Sequence, residues 1–281
     1  MGSVELTTKE LIESAAQVLE PRRTRSSRLQ PRDFEILRFI LEQKFCSLEA
    51  IYFRFFHHVK TLEAKPPENF WTTRQRLAKL RKVALIKTEK VLSSGKAHFL
   101  ITPFGRKILC DKLSDLVLIK PTKTIDFSLY EHDVRVTMVR TITEIKGKSE
   151  KWYSEKWLKA TPVLIDGKFK YHFTKDLRPD AFLLNSRHEK IALELEMSRK
   201  SKSRIEAKIR IYDDLLEKNY HSGGAGQPAV EFQVLDKVWF VATKPMVVKF
   251  LQKMIETKSR YPMCYRVDSY DGIIPEVARG E

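Results

Sequence analysis

The sequence predicts an α+β chain in two parts, a helical region closed by a β-hairpin followed by an α/β region around a central mixed sheet. Three observations carry this reading. Apolar residues recur at helical spacing up to about residue 113, broken by two short β-rich runs joined through Gly95. From about Ser128 onward, helical stripes alternate with apolar runs of strand length. Between the two, residues 116–127 look like a connector, with Pro121 and the polar run Lys120 to Thr124. The expected division is therefore an arm at 1–30, a first domain at 31–115, the connector, a second domain at 128–270 and a tail at 271–281.

The arm is polar, with a short amphipathic helix over Leu6 to Leu19 and a basic run from Pro21 to Arg28. The first domain opens with a helix over Asp33 to Gln43, whose apolar stripe is Phe34, Leu37, Ile40 and Leu41. Ser47 suits the cap of a second helix, Leu48 to Phe56. A polar loop with Pro66-Pro67 follows, and a third helix runs from Thr72 or Thr73 to about Val83, burying Phe70, Leu77, Leu80 and Ala84. Strands over Leu85 to Val91 and Ala97 to Ile101 flank a turn at Ser93 to Lys96. Thr102-Pro103 then starts a helix over Phe104 to Leu113.

Three helices and a hairpin in this order make a winged helix-turn-helix. The exposed side of the third helix presents Thr72, Gln75, Arg76, Lys79 and Lys82, with Arg74 at its margin. A recognition helix places such residues on base edges and phosphates of the major groove, and Lys96 at the hairpin tip suits a backbone contact. The competing reading is a winged helix used for protein contacts alone.

In the second domain, Tyr130 to Ile145 is a helix, Lys151 to Leu158 a strand carrying Tyr153, Glu155 and Trp157 on one face, and Gly167 a turn before Phe169 to Phe173. Two apolar runs follow, each carrying carboxylates: Asp180-Ala-Phe-Leu-Leu, and Ile191 to Met197 with Glu194 and Glu196. Strand alternation puts Ala192, Glu194 and Glu196 on one face and Ile191, Leu193, Leu195 and Met197 on the other. Ionised carboxylates in a core strand are costly unless paired or bound to metal. Divalent-metal coordination by Asp180, Glu194 and Glu196 accounts for them, as does a solvated face or pairing with nearby Lys and Arg. Ser201 to Glu217 is a helix with Ile205, Ile209, Tyr212 and Leu216 in its apolar stripe and Lys200, Arg204 and Lys208 beside it. Residues 219–229 form a Gly-rich loop. Val238 to Thr243 is an apolar strand, Met246 to Thr257 a helix and Tyr261 to Val267 a last strand.

Composition narrows the partners. The 281 residues carry 52 Lys and Arg against 36 Asp and Glu, a net charge of +16, which favours a polyanion such as nucleic acid. Cys46, Cys110 and Cys264 are dispersed and odd in number, pointing to a reducing compartment without disulfides or a Cys-based zinc site. His57-His58 lacks partners at metal-ligand spacing. With no apolar run of membrane-spanning length and no secretory leader, a cytoplasmic protein is expected. The nucleophilic triads, phosphate-binding loops and zinc spacings sought are absent, and Gly223 to Gly226 lacks a dinucleotide-binding context.

Helix, strand with Glu155, strand with Pro179-Asp180, strand with Glu194 and Glu196, helix and strand is an order that resembles the restriction-endonuclease-like, PD-(D/E)XK nuclease fold. The resemblance implies that Asp180 and the following acid hold Mg²⁺, or Mn²⁺ in its place, with Glu155 joining from upstream. It also implies a Lys two positions after the acid, but Glu196 or Ser198 stands there. Either Lys200 or Lys208 substitutes from the following helix, giving a catalytic set of Glu155, Asp180, Glu194, Glu196, Lys200 and Lys208, or the site is degenerate. Residues 31–270 also resemble the bacterial replication-relaxation proteins, through the winged helix, His132, Ser154-Glu155, Arg178-Pro179-Asp180, Leu193 to Glu196 and the Lys-bearing helix ending near Tyr212. His132 is either functional or a helix-start residue that caps or packs at the sheet edge. That family is associated with plasmid replication and mobilisation. The implied partners are duplex DNA and either a second copy of the chain or replication and mobilisation proteins, without a membrane. Two functions remain open: a Mg²⁺-dependent deoxyribonuclease, or a non-catalytic DNA-binding regulator or scaffold.

Overall fold

Pro31 starts the first helix because its fixed φ suits a position where no backbone N–H is needed. The structure, a computed structural model, describes residues 29–57, 70–92, 94–165, 168–171, 178–221 and 235–275. The Leu6 to Leu19 helix, the Pro21 to Arg28 run, His58, Pro66-Pro67, Gly167 and Gly223 to Gly226 lie outside the described residues.

Helix α1 (Pro31–Glu42) buries Ile36, Leu37, Phe39, Ile40 and Leu41. Strand β1 (Cys46–Ser47) leads into α2 (Leu48–Phe55), capped by the Ser47 hydroxyl, which accepts from the Ala50 N–H at 3.1 Å. Helix α3 (Trp71–Lys82) begins after Phe70, whose φ of 47° turns the chain sharply. Strands β2 (Ile86–Lys90) and β3 (Ala97–Ile101) pair antiparallel, and β1 adds to β3 to give the order β1-β3-β2. Thr102 caps α4 (Pro103–Cys110). Gly105 is required there, because a Cβ at this position would run into the Leu85 carbonyl oxygen. Ala84, expected on the buried face, is instead exposed at a φ of 56° where the chain leaves α3. The segment read as a connector packs down: Leu116, Ile119 and Ile125 are buried, and the Arg106 guanidinium donates to the Ile119 carbonyl at 2.6 Å.

The second part follows as α5 (Tyr130–Ile145), β4 (Lys151–Ser154), α6 (Glu155–Ala160), the hairpin β5 (Pro162–Ile165) and β6 (Lys168–Tyr171), β7 (Ala181–Leu184) and β8 (Lys190–Glu196). It continues through α7 (Lys202–His221), β9 (Lys237–Ala242), α8 (Pro245–Lys258), a 3₁₀ turn at Pro262–Cys264, β10 (Tyr265–Ser269) and α9 (Tyr270–Ile273). Among the described residues the central sheet has five strands in the order β10-β9-β8-β7-β4. Strands β8, β9 and β10 run parallel, whereas β7 and β4 are antiparallel to their neighbours, so the sheet is mixed and the fold α+β.

Three further expectations are corrected. The strand read over Lys151 to Leu158 stops at Ser154, because the Ser154 hydroxyl accepts from the Trp157 N–H at 3.2 Å and caps α6. Glu155 is therefore the first residue of a helix. The strand read over Tyr261 to Val267 begins only at Tyr265, after the 3₁₀ turn that Pro262 opens. The start of the tail is ordered and packed: Ser269 caps α9, and Tyr270 and Ile274 are buried.

The sheet has two covered faces. Ala181, Leu183, Leu193, Leu195, Trp239 and Val241 pack with Val136, Met138, Val139 and Ile142 of α5 in one apolar cluster that also contains the cores of α1, α2 and α3. Phe182, Ala192, Val238 and Phe240 face the other way, toward Ile205, Ile209, Tyr212 and Leu216 of α7 and Val247, Leu251 and Met254 of α8. Helix α5 thus belongs to both parts. Buried Arg140 on it reaches Glu42 of α1 at 2.7 Å and Glu144 at 3.0 Å, and Arg54 of α2 also pairs with Glu144.

Candidate functional site

Strand β8 alternates as its sequence requires. Glu194 and Glu196 join Ala192 on the α7 side, both almost fully buried. Helix α7 crosses that face and brings Lys208 and Tyr212, one turn apart, against the acids. The Lys208 ammonium donates to Glu194 Oε2 at 2.8 Å and Glu196 Oε1 at 3.0 Å. The Tyr212 hydroxyl donates to Glu194 Oε1. Lys200, from the loop before α7, lies 3.9 Å from Glu196 Oε2. Of the readings open for these carboxylates, pairing with lysine is the one the geometry shows.

Burial pushes the Glu194 carboxyl up, to about 7, with the charge of Asp180 adding and the Lys208 ammonium and Tyr212 hydroxyl opposing. Burial pulls Lys208 down, yet the charges of Glu194 and Glu196 outweigh it and leave the ammonium well above its ordinary range. Burial and the Glu194 charge hold the Tyr212 phenol protonated. Lys208 is thus a fixed cation between two acids.

Asp180 lies one residue before β7. The ladder pairs Ala181 with Leu193, so its continuation sets Asp180 opposite Glu194. Asp180 Oδ2 accepts from the Leu195 N–H at 2.7 Å and lies 3.2 Å from His132 Nε2. His132 Nδ1 is 3.5 Å from Asp133, Asp133 is held by Lys44 at 2.8 Å, and Lys44 reaches Glu155 at 3.3 Å. Glu155 also pairs with Lys159. Burial would lower the His132 pKa, but hydrogen bonds and charge from Asp133 and Asp180 raise it to about 10, so both ring nitrogens carry protons at neutral pH. His132 is not the helix cap, which falls at Leu129, but pairs with Asp133 and Asp180. It links Asp180 to a chain of charges that runs through Asp133, Lys44 and Glu155 to Lys159. A small cleft lined by Lys44, His132, Asp133, Glu155, Lys156 and Asp180 borders this chain. Lys44 carried no signal in the sequence, because it sits in a loop at a φ of 69° and its partners are 89 and 111 positions away.

A divalent cation needs several free oxygen ligands at once. Here both oxygens of Glu194 and one of Glu196 are engaged by Tyr212 and Lys208, and Asp180 Oδ2 is engaged by a backbone N–H and His132. Among the described residues no group of three His, Cys, Asp or Glu side chains is placed to hold a metal. The donor set of Asp180, Glu194 and Glu196, as arranged, does not fit Mg²⁺ or Mn²⁺, because the Lys208 ammonium already bridges Glu194 and Glu196 and Asp180 is held by His132 and a backbone N–H.

The second candidate surface is α3. Thr72, Arg74, Gln75, Lys79 and Lys82 are exposed. Arg76 is not available as expected: its guanidinium forms a two-pronged ion pair with Asp33, which is fully buried in α1. Arg81, which periodicity did not single out, is exposed instead. With Arg74 and Ala78 it lines an open groove closed on the far side by Thr88, Gly95, Lys96 and Ala97 of the hairpin. Lys96 is exposed and within 3.6 Å of Glu49.

No helix of the described residues is long and apolar enough to cross a membrane. Neither the curated proteins nor the solved structures yield a match to this chain. The replication-relaxation family model matches residues 37–229, from within α1 to beyond α7, well over half of the chain. The match spans α3, His132, Glu155, Asp180, the two glutamates of β8 and Lys208 of α7, so the basic helix and the acidic cluster both fall within it. On that extent of agreement, the chain belongs to the replication-relaxation family.

Proposed function

We propose that this protein binds duplex DNA in plasmid replication or mobilisation. Helices α1 to α3 with the β1-β3-β2 sheet act as a winged helix, and α3 enters the major groove. The observation that carries this reading is the composition of α3. It holds Arg74, Arg76, Lys79, Arg81 and Lys82 and no acid, and all of these cations but Arg76 are exposed. The net charge of +16 supports a polyanionic partner. The α/β part is a nuclease-like scaffold in this reading. The lysine between Glu194 and Glu196 supports a structural rather than phosphodiesterase role for the acids.

The test is fluorescence anisotropy on a labelled duplex, titrated at several salt concentrations. Replacing Arg74, Lys79, Arg81 and Lys82 with Ala is expected to weaken binding and to lower the log–log salt slope by roughly one for each phosphate no longer neutralised. Unchanged affinity and slope in a folded variant sink the reading of α3 as the helix that contacts DNA. Nicking of supercoiled plasmid by wild type with Mg²⁺ but not with EDTA, abolished by Asp180→Asn, replaces the scaffold reading with the deoxyribonuclease.

A further inference from the structure

Beyond α3, two further described segments are basic and carry no acid. They lie where the parallel strands β8 and β9 end. Residues 197–205 follow β8, and residues 243–250 follow β9. Together they contain Arg199, Lys200, Lys202, Arg204, Lys244 and Lys249 and no Asp or Glu. All but the half-buried Lys200 are exposed.

The two segments form one surface. The Thr243 N–H donates to the Glu196 carbonyl at 3.2 Å, and the Thr243 hydroxyl donates to the Met197 carbonyl at 3.1 Å. The Arg199 guanidinium lies 4.7 Å from the centre of the Phe250 ring, which fixes its direction. Lys200 reaches from this surface toward the buried Glu196, and Lys208 holds Glu194 beside it. Like charges gathered on two tethered segments, each a loop running into the first turns of a helix, repel one another. An arrangement of this kind is relieved by a polyanion laid across it. Ligands of open α/β sheets bind in the crevice beyond the carboxyl ends of the strands.

We propose that this surface, led by Arg199, Lys202, Arg204, Lys244 and Lys249, is a second nucleic-acid contact that grips the phosphate backbone beside the Glu194–Glu196 pair. It rests on the reading that the protein works on DNA, but uses residues that share nothing with α3. The protein thereby holds one duplex at two places, or bridges two segments.

The experiment uses the full chain and two variant sets. One replaces Lys202, Arg204, Lys244 and Lys249 with Ala, and the other replaces Arg74, Lys79, Arg81 and Lys82. All eight side chains are exposed, so both sets are expected to fold, which far-UV circular dichroism and a thermal melt verify. Duplex binding is then measured against salt. The first set is expected to lose about tenfold or more in affinity at moderate salt, and its log–log slope to fall by roughly three. If it matches wild type in both quantities, the second contact is wrong. Weaker binding in the α3 set alone keeps the winged-helix reading and overturns this one. Weaker binding in the strand-end set alone does the reverse. If the strand-end set instead loses binding to vesicles containing phosphatidylserine while keeping its DNA affinity, the surface is a membrane contact and the proposal fails.

Discussion

Lys208→Met is the sharpest perturbation of the acidic cluster. The side chains of Glu194 and Glu196 are 5% and 4% exposed, and the Lys208 ammonium touches both. Methionine keeps most of the stem but removes the charge, leaving two carboxylates in the interior with only Tyr212 and the more distant Lys200 to answer them. Removing one partner of a buried ion pair costs about 3–5 kcal/mol. That range is expected for the loss of unfolding free energy at pH 7.5, measured by urea denaturation. The cost must also depend on pH. Without Lys208, at least one carboxyl in the folded state titrates well above its unfolded value. The unfolded chain then binds fewer protons than the folded one, so stability falls as pH rises from the unfolded carboxylate range through the raised folded value. Each pH unit on the acid side of 7.5 should return about 1.4 kcal/mol per proton taken up. Adding Glu194→Gln and Glu196→Gln to Lys208→Met should recover most of the loss. A Lys208→Met variant within about 0.5 kcal/mol of wild type, well below that range, and insensitive to pH would refute the reasoning. Recovery of the variant by millimolar Mg²⁺ would show instead that the acids form a metal site which the lysine closes.

Other expectations follow from the same geometry. Arg76→Ala leaves the buried Asp33 carboxylate without its guanidinium partner, though it still accepts the Gln30 N–H, and should cost about 3–5 kcal/mol, with Asp33→Asn in the same chain restoring part of it, read by thermal melts. Burial and the charge of Lys44 lower the Lys156 ammonium to about 8, so wild type should gain stability relative to Lys156→Met as pH rises from 8 to 10.5, by about 3 kcal/mol in total. The sign is fixed because the unfolded chain holds the proton in that window and the folded chain has released it. A flat difference between the two proteins across those pH values would count against the burial of Lys156. Gly105→Ala forces α4 off the Leu85 carbonyl and should cost about 1–3 kcal/mol or more, measurable as a lower urea midpoint.

Much of this site is legible without coordinates. Strand alternation places Glu194 and Glu196 together, and helical spacing puts Lys208 beside the stripe that carries Tyr212. Those are local regularities, and the order and mixed character of the second part follow from similar ones. What local pattern does not show is set by distant partners. Arg76 belongs to the exposed stripe by count alone, and only Asp33, 43 positions earlier, withdraws it. Lys44 and His132 gain meaning only when α5 docks against the loop after α1. Glu155 fails for a different reason. Tyr153, Glu155 and Trp157 alternate like a strand, yet Ser154 followed by an acid is also a helix start, and the cap prevails.

The shared packing of α5 has a consequence for the order in which the chain can become structured during synthesis. The cores of α1, α2 and α3 belong to one apolar cluster with Val139 and Ile142, and Ile274 lies in the same cluster. While the ribosome still holds residues beyond Leu113, the first three helices have no cover for the side that α5 will occupy. They gain one face when Tyr130 to Ile145 emerges, and the α9 end of the cluster closes only when Tyr270 and Ile274 arrive. A fragment cut at Leu113 should therefore behave like that nascent intermediate, with apolar surface exposed and a tendency to associate.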